Sequence, residues 1–193
     1  MKVRESGMPD EGTWERFFEP DRVLVALRFP DGNPDVVDFG SGFGTFTVAA
    51  ARRTRGMVYA LDIDRAMVDA TNARAAALGL HNVRAIERDF VVLGTGLPDG
   101  SVDYAMLFNI LHGEEPETLL AETRRVLRPT GTLAAIHWNH DARTPRGPPL
   151  AIRPTPAQCS GWVREAGFEV TAALDLPPYH YGVVAAPRSR LRA

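Results

Sequence analysis

Five residues, Gly40-Ser41-Gly42-Phe43-Gly44, place glycine at alternate positions directly after the apolar run Asp35-Val36-Val37-Asp38-Phe39. Glycine accepts backbone angles that other residues resist, so such a stretch turns sharply and lets a ligand approach the main chain. A helical pattern follows, and a helix start presents free N–H groups. About 22 residues beyond Gly40, Asp62 closes a second apolar run, where a carboxylate can take both hydroxyls of a ribose. Glycine loop and strand-end acid together point to a nucleoside-containing ligand. The alternative is a tight turn that binds nothing.

The spacing narrows the nucleoside. Dinucleotide sites use Gly-x-Gly-x-x-Gly, whose third glycine lets helix and strand pack closely beside a pyrophosphate. Here the sixth position from Gly40 is Thr45, and the pattern reads Gly40-x-Gly42-x-Gly44 with Asp38 just ahead of it. A carboxylate at the loop's entry repels a diphosphate and attracts an ammonium group. Methionine carries one, so the electrostatics favour S-adenosylmethionine over NAD.

The elements that must hold these residues alternate between short apolar runs and helical patterns, which predicts an α/β fold on a parallel sheet. Strands are expected over Asp35–Phe39, Met57–Ile63, Asn82–Glu87, Val102–Phe108, Thr132–Trp138, Phe168–Leu174 and His180–Ala186. Helices are expected after the glycine loop to about Thr54, over Arg65–Leu78 with Gly79 as its cap, from Pro116 until Pro129 and Gly131 end it, and from the capping pattern Thr155-Pro156-Ala157-Gln158 to Gly167. Pro177-Pro178 joins the last two strands without a helix, so these should be antiparallel neighbours. The segments through about Thr13 and from Asn139 to Pro154 read as irregular.

Across roughly Asp35 to Gly131 the chain resembles the class I S-adenosylmethionine-dependent methyltransferases, within them the type-11 group that includes quinone-biosynthesis enzymes. Asp38–Gly44 corresponds to the family's first motif and Leu61-Asp62-Ile63-Asp64 to its ribose-binding acid. Arg88-Asp89-Phe90 stands where an acid usually meets the adenine amino group, although a strand-end aspartate is often only a helix cap. Asp103–Leu111, with Asn109, matches the strand-four motif that lines the methyl donor. Leu127-Arg128-Pro129-Thr130-Gly131 is similar to the family's turn, with Thr130 in place of a glycine. The resemblance implies a Rossmann-like sheet of seven strands in the order 3-2-1-4-5-7-6, strand 7 antiparallel, with helices on both faces. It implies S-adenosylmethionine as donor and S-adenosylhomocysteine as product. Ile63 and Met67 are apolar and placed to sandwich adenine; core packing explains Met67 equally well.

Methyl transfer needs alignment of an acceptor and exclusion of water, and only sometimes a base. Acceptor candidates lie beyond the strand ends, where open α/β sheets bind ligands. His112 follows strand four and is a general-base candidate, its alternative being a loop histidine with one hydrogen bond. His137 and Trp138 end strand five; His137 reads as buried and satisfied as readily as catalytic. Arg146 and Arg153 flank the proline-rich loop, either gripping an anionic acceptor or simply solvated. Trp14, Phe17 and Phe18 are helix-packing residues or a lid. His137, His140 and Asp141 do not space three ligands around one ion, so no metal is expected.

At 193 residues the chain predicts one domain, with 1–34 as an N-terminal helical segment and possible lid and 35–193 as the core. Apolar residues make up 45% and charged residues 24%, an ordinary globular balance. No apolar run reaches the ~18 residues of a membrane span, no signal peptide opens the chain, and the cytoplasm is the default location. A net charge of −2 gives no basic face for nucleic acid, so a small-molecule acceptor is favoured. With Cys159 the only cysteine, disulfides and thiolate metal sites are excluded. Two other functions compete. A binding module for S-adenosylmethionine or S-adenosylhomocysteine without turnover would keep the same loop. An NAD(P)-dependent oxidoreductase would need a catalytic lysine in its short-chain form, and Lys2 is the only lysine.

Overall fold

Four consecutive buried residues, Val36–Phe39, make β1 a strand covered on both sides, as central parallel strands are. The computed structural model describes residues 19–113, 115–145 and 147–189. Helix α1 (Pro20–Ala26) opens on a proline that has no N–H to leave unpaired. After β1 come α2 (Thr45–Arg53), β2 (Val58–Asp62), α3 (Arg65–Ala77), β3 (Val83–Glu87) and a single turn, α4 (Phe90–Leu93). Then follow β4 (Val102–Phe108), α5 (Pro116–Val126), β5 (Leu127–Trp138), a 3₁₀ turn (Leu150–Ile152), α6 (Pro156–Glu165), β6 (Phe168–Leu176) and β7 (His180–Pro187).

The seven strands are ordered β3-β2-β1-β4-β5-β7-β6. Strands β1 to β5 pair in parallel. β7 runs antiparallel to both β5 and β6. The order and the reversed strand are those expected. After β1 the chain builds outward to β3, then crosses back to β4 on β1's other side. That reversal opens a crevice beyond the carboxyl ends of β1 and β4.

Alternation along β4 sorts the core into two layers. Tyr104, Met106 and Phe108 face α1 and α2, with Val23, Leu24 and Phe46. Ala105 and Leu107 face α5 and α6, with Leu119, Leu120 and Val163. The Tyr104 hydroxyl donates to the Leu27 carbonyl at 2.9 Å, tying α1's end to the sheet. The capping box predicted at Thr155 is present: Thr155 Oγ1 accepts from the Gln158 N–H at 3.2 Å and Gln158 Oε1 accepts from the Thr155 N–H at 2.9 Å.

Two expectations need correction. Strand five begins at Leu127, not Thr132, because Leu127 already pairs with Val102 before the ladder shifts and Thr132 pairs with Tyr104. The four residues between them, including Pro129, fall in that irregularity of the β4–β5 ladder, and α5 ends at Val126, ahead of the proline. The turn α4 was not expected; one turn is too short to show helical periodicity. Trp14, Phe17, Phe18 and Arg146 lie outside the described residues. Among those described, no helix is long and apolar enough to cross a membrane.

Candidate functional site

The glycine loop is anchored to β2. Gly40 and Ser41 both donate to the Leu61 carbonyl, at 2.8 and 3.0 Å. Gly40, Gly42 and Gly44 have φ of +72°, +53° and +76°, a region that side chains disfavour. Asp62 reaches back across the turn: Oδ2 accepts from the Gly42 N–H at 2.9 Å and Oδ1 from the Asp64 N–H at 3.0 Å. A carboxylate has about four acceptor positions, so both oxygens can still take hydroxyl donors. Thr71 Oγ1 donates to the Gly42 carbonyl at 2.9 Å and fixes the loop from α3.

Two buried carboxylates flank this turn. Asp38 is 3% exposed and Asp62 5%. Asp38 Oδ2 accepts from Thr47 Oγ1 at 2.6 Å. Burial is the main influence on Asp38 and pushes its carboxyl up to about 7; the Thr47 bond opposes this and the charge on Asp62 adds to it. Burial also raises Asp62, against the backbone donors that hold its charged form. Among the described residues no arginine or lysine pairs with either. A positive charge brought beside the loop would favour the ionised form of both carboxyls.

Unpaired polar atoms mark the same crevice. Ser41 Oγ and both amide atoms of Asn109 are buried without a partner. Each such group costs about 1–3 kcal/mol unless something bonds to it. Asn109 also holds a left-handed backbone, φ +57°, as β4 ends. A cleft beside the loop is lined by Ile63, Asp89 and Phe90 on one side and Ile110, His112 and Gly113 on the other. Ile110 packs over Gly40, where an added Cβ would stand 2.8 Å from its Cδ1. Asp89 caps α4, Oδ1 accepting from the Val91 and Val92 N–H groups at 3.2 and 3.1 Å.

The remaining expected residues separate. Phe43 is half-buried in the loop, and Thr45 is buried at the start of α2. Met67 is half-buried on α3 and does not line the cleft. His112 Nδ1 lies 3.1 Å from His137 Nε2. Trp138, expected to meet the acceptor, belongs to the core and stacks against the His180 ring, 4.1 Å between centroids. His140 Nδ1 sits 2.7 Å from the Arg153 carbonyl, turned to a different partner from His137. Arg153 is 7% exposed and its guanidinium clasps the 139–149 loop. It donates to the Pro148 carbonyl at 2.7 and 3.1 Å, to that of Asn139 at 2.9 Å, and to Thr144 Oγ1. Those donors are spent on the fold, not held out for an anion. The sequence reading missed Thr47 and Thr71; a threonine on a helix carries no signal that it props a loop.

A family profile described as a methyltransferase domain matches residues 36–131. Among solved structures, a SAM-dependent methyltransferase from Aquifex aeolicus is 28% identical, with a TM-score of 0.82 over 91% of this chain and 93% of that one. Demethylmenaquinone methyltransferase of Geobacillus stearothermophilus is 33% identical over 98 residues, 50% of this chain and 41% of that protein. Nocamycin O-methyltransferase of Saccharothrix syringae is 36% identical over 132 residues, 64% of this chain and 45% of that protein. The chain spans about half the length of the curated relatives it matches.

Proposed function

The chain belongs to the class I S-adenosylmethionine-dependent methyltransferases, and on that premise we propose that it transfers the donor's methyl group to a small-molecule acceptor by in-line displacement. One observation carries the reading most: two buried carboxylates that, among the described residues, no lysine or arginine pairs with, at a loop of left-handed glycines. S-adenosylmethionine supplies an already activated methyl group on a positively charged sulfur. Asp62 would take the ribose hydroxyls and Asp38 would answer the positive charge of the amino-acid end. Ile63 and Phe90 offer apolar walls for adenine, with Asp89 at the rim. Asn109 and Ser41 bring unsatisfied hydrogen-bonding atoms to the same crevice. The modest net charge and the small cleft favour a metabolite over nucleic acid as acceptor.

His112, which lines the cleft, would take a proton from the acceptor. Burial first, then the charge of Arg153, holds its imidazole down to about 4, so it is neutral at pH 7. A base this weak lies some six pK units below a phenol of about 10, roughly 8 kcal/mol. It can accept the proton only as the methyl bond forms and the acceptor becomes acidic.

A thermal-shift experiment with S-adenosylmethionine, S-adenosylhomocysteine and NADH tests the assignment. The first two should raise the melting temperature and NADH should leave it unchanged; stabilisation by NADH alone would overturn the proposal.

The Asp38 carboxyl gives donor binding a pH signature. In the empty protein it titrates at about 7. A bound ammonium group favours the ionised form, so below pH 7 binding must release a proton. Affinity should then fall about tenfold per pH unit below 7, and fall again above the donor's own amino pKa near 8. Stability of the empty protein runs the opposite way: a folded pKa raised above 3.8 means that the native state holds the extra proton, so stability declines as pH rises towards 7. Calorimetry in buffers of different ionisation enthalpy measures the proton released, and a dissociation constant level from pH 5 to 8 would remove Asp38 from the site.

A further inference from the structure

Two imidazoles meet where β4 and β5 finish. His112 Nδ1 and His137 Nε2 are 3.1 Å apart, and the rings stand nearly perpendicular, at 79°. His137 is fully buried. Burial, with His112 and Arg153 adding to it, keeps His137 neutral, as burial and Arg153 keep His112 and the nearby His180. A neutral imidazole has one N–H and one lone pair, so one of the two nitrogens in contact donates and the other accepts.

The far side of His137 decides which. Its Nδ1 faces the Trp138 carbonyl oxygen at 3.4 Å. That oxygen can only accept. A bare Nδ1 would set lone pair against lone pair where no water reaches, a costly arrangement. The proton therefore sits on His137 Nδ1, the Nε2 is bare, and it accepts the Nδ1–H of His112. His112 Nε2 is left without a proton, and it has no hydrogen-bond partner among the described residues. His112 lines the cleft, whereas His137 does not.

We propose that His137 is a positioning residue that holds His112 as its Nδ1–H tautomer, so that the nitrogen offered to the cleft is a lone pair and not an N–H. The purpose of this arrangement rests on the methyl-transfer reading; its geometry does not. In the step, the acceptor's oxygen or nitrogen bonds to the methyl carbon, the carbon–sulfur electron pair stays on sulfur, and the acceptor's proton moves to His112 Nε2. The Nδ1–H bond to His137 persists throughout. Without His137, a free imidazole prefers the Nε2–H form, and the cleft would meet a donor where it needs a base.

Two-bond proton–nitrogen correlation spectra of the ¹⁵N-histidine-labelled protein at pH 7 read both tautomers directly. His112 and His137 should each show a protonated Nδ1 and a bare Nε2; an Nε2–H signal for His112 would sink the proposal. His137→Gln offers Oε1 as a replacement acceptor and should preserve the His112 tautomer. His137→Phe removes the acceptor and should move His112 to mostly Nε2–H. Donor affinity should then stay unchanged, while turnover of a methylated metabolite falls at least about tenfold and recovers in the Gln variant. If His112 keeps Nδ1–H in the Phe variant, or loses it in the Gln variant, His137 does not set the tautomer. Should the Phe variant fail to fold, the wild-type and Gln spectra decide alone. Failure of the methyl-transfer reading shows differently, as absent S-adenosylmethionine binding with both tautomers intact.

Discussion

Asp62→Ala is expected to lose about 2 kcal/mol or more of S-adenosylmethionine affinity, roughly thirtyfold in Kd. Two ribose hydroxyls would lose a charged acceptor, and hydrogen bonds to charged groups are the strong ones. The same carboxylate also steadies the loop through the Gly42 and Asp64 N–H groups, so part of the loss reflects a less ordered cradle. Asp62→Asn separates the contributions. Its amide keeps one acceptor oxygen, and removing a buried charge relieves the burial that raises the carboxyl's pKa. Asparagine should thus weaken donor binding but lower the melting temperature of the empty protein less than alanine does, since it keeps one of the two backbone bonds and turns its NH2 towards the other N–H. Calorimetry that finds wild-type affinity in both variants would rule out the ribose role.

Gly44→Ala should be more destabilising than Gly40→Ala. At φ +76° the added Cβ would lie 2.9 Å from Thr71 Oγ1, 3.1 Å from its Cγ2 and 3.2 Å from its Cα. Thr71 is fully buried and its hydroxyl already holds the Gly42 carbonyl, so it has nowhere to move. Left-handed backbone costs about 1–2 kcal/mol and overpacking about 1–3 more. At about 2–4 °C per kcal/mol for a domain of this size, a fall of roughly 4–20 °C in melting temperature follows. Gly40→Ala, at φ +72°, carries the same backbone strain but meets only the end of the Ile110 side chain, at 2.8 Å. It should unfold the protein less and, by pressing Ile110 towards the cleft, impair donor binding more. Equal melting temperatures for the two variants would show that Thr71 does not enforce the turn.

Much of this architecture is legible in the residues because it depends on local rules. Buried parallel strands read as continuous apolar runs, so β1, β2 and β4 stand out, and glycine after β1 with aspartate ending β2 needs only short spacings. The missing parts depend on partners distant in sequence. His112 and His137 are 25 residues apart, and only the β4–β5 register, Phe108 opposite Ile136, brings them together. Thr47 and Thr71 look like ordinary helix residues until the loop folds against them. The left-handed backbone of Asn109 leaves no mark in composition, since asparagine is common in many turns. Arg153 has the chemistry to grip an anion, and only its burial beneath the 139–149 loop shows its donors already engaged.

The reversed strand has a further consequence. Because β7 runs against β5, its beginning, not its end, reaches the crevice, and His180 comes to rest beside Trp138. The half of the sheet that would hold the donor is drawn from β1 to β4, inside the segment matched by the family profile, 36–131. The half beside His137 comes from later, separate stretches of chain. On the proposed reading, such a division of labour would let mutation retune what is methylated without disturbing the stretch of chain that holds the donor.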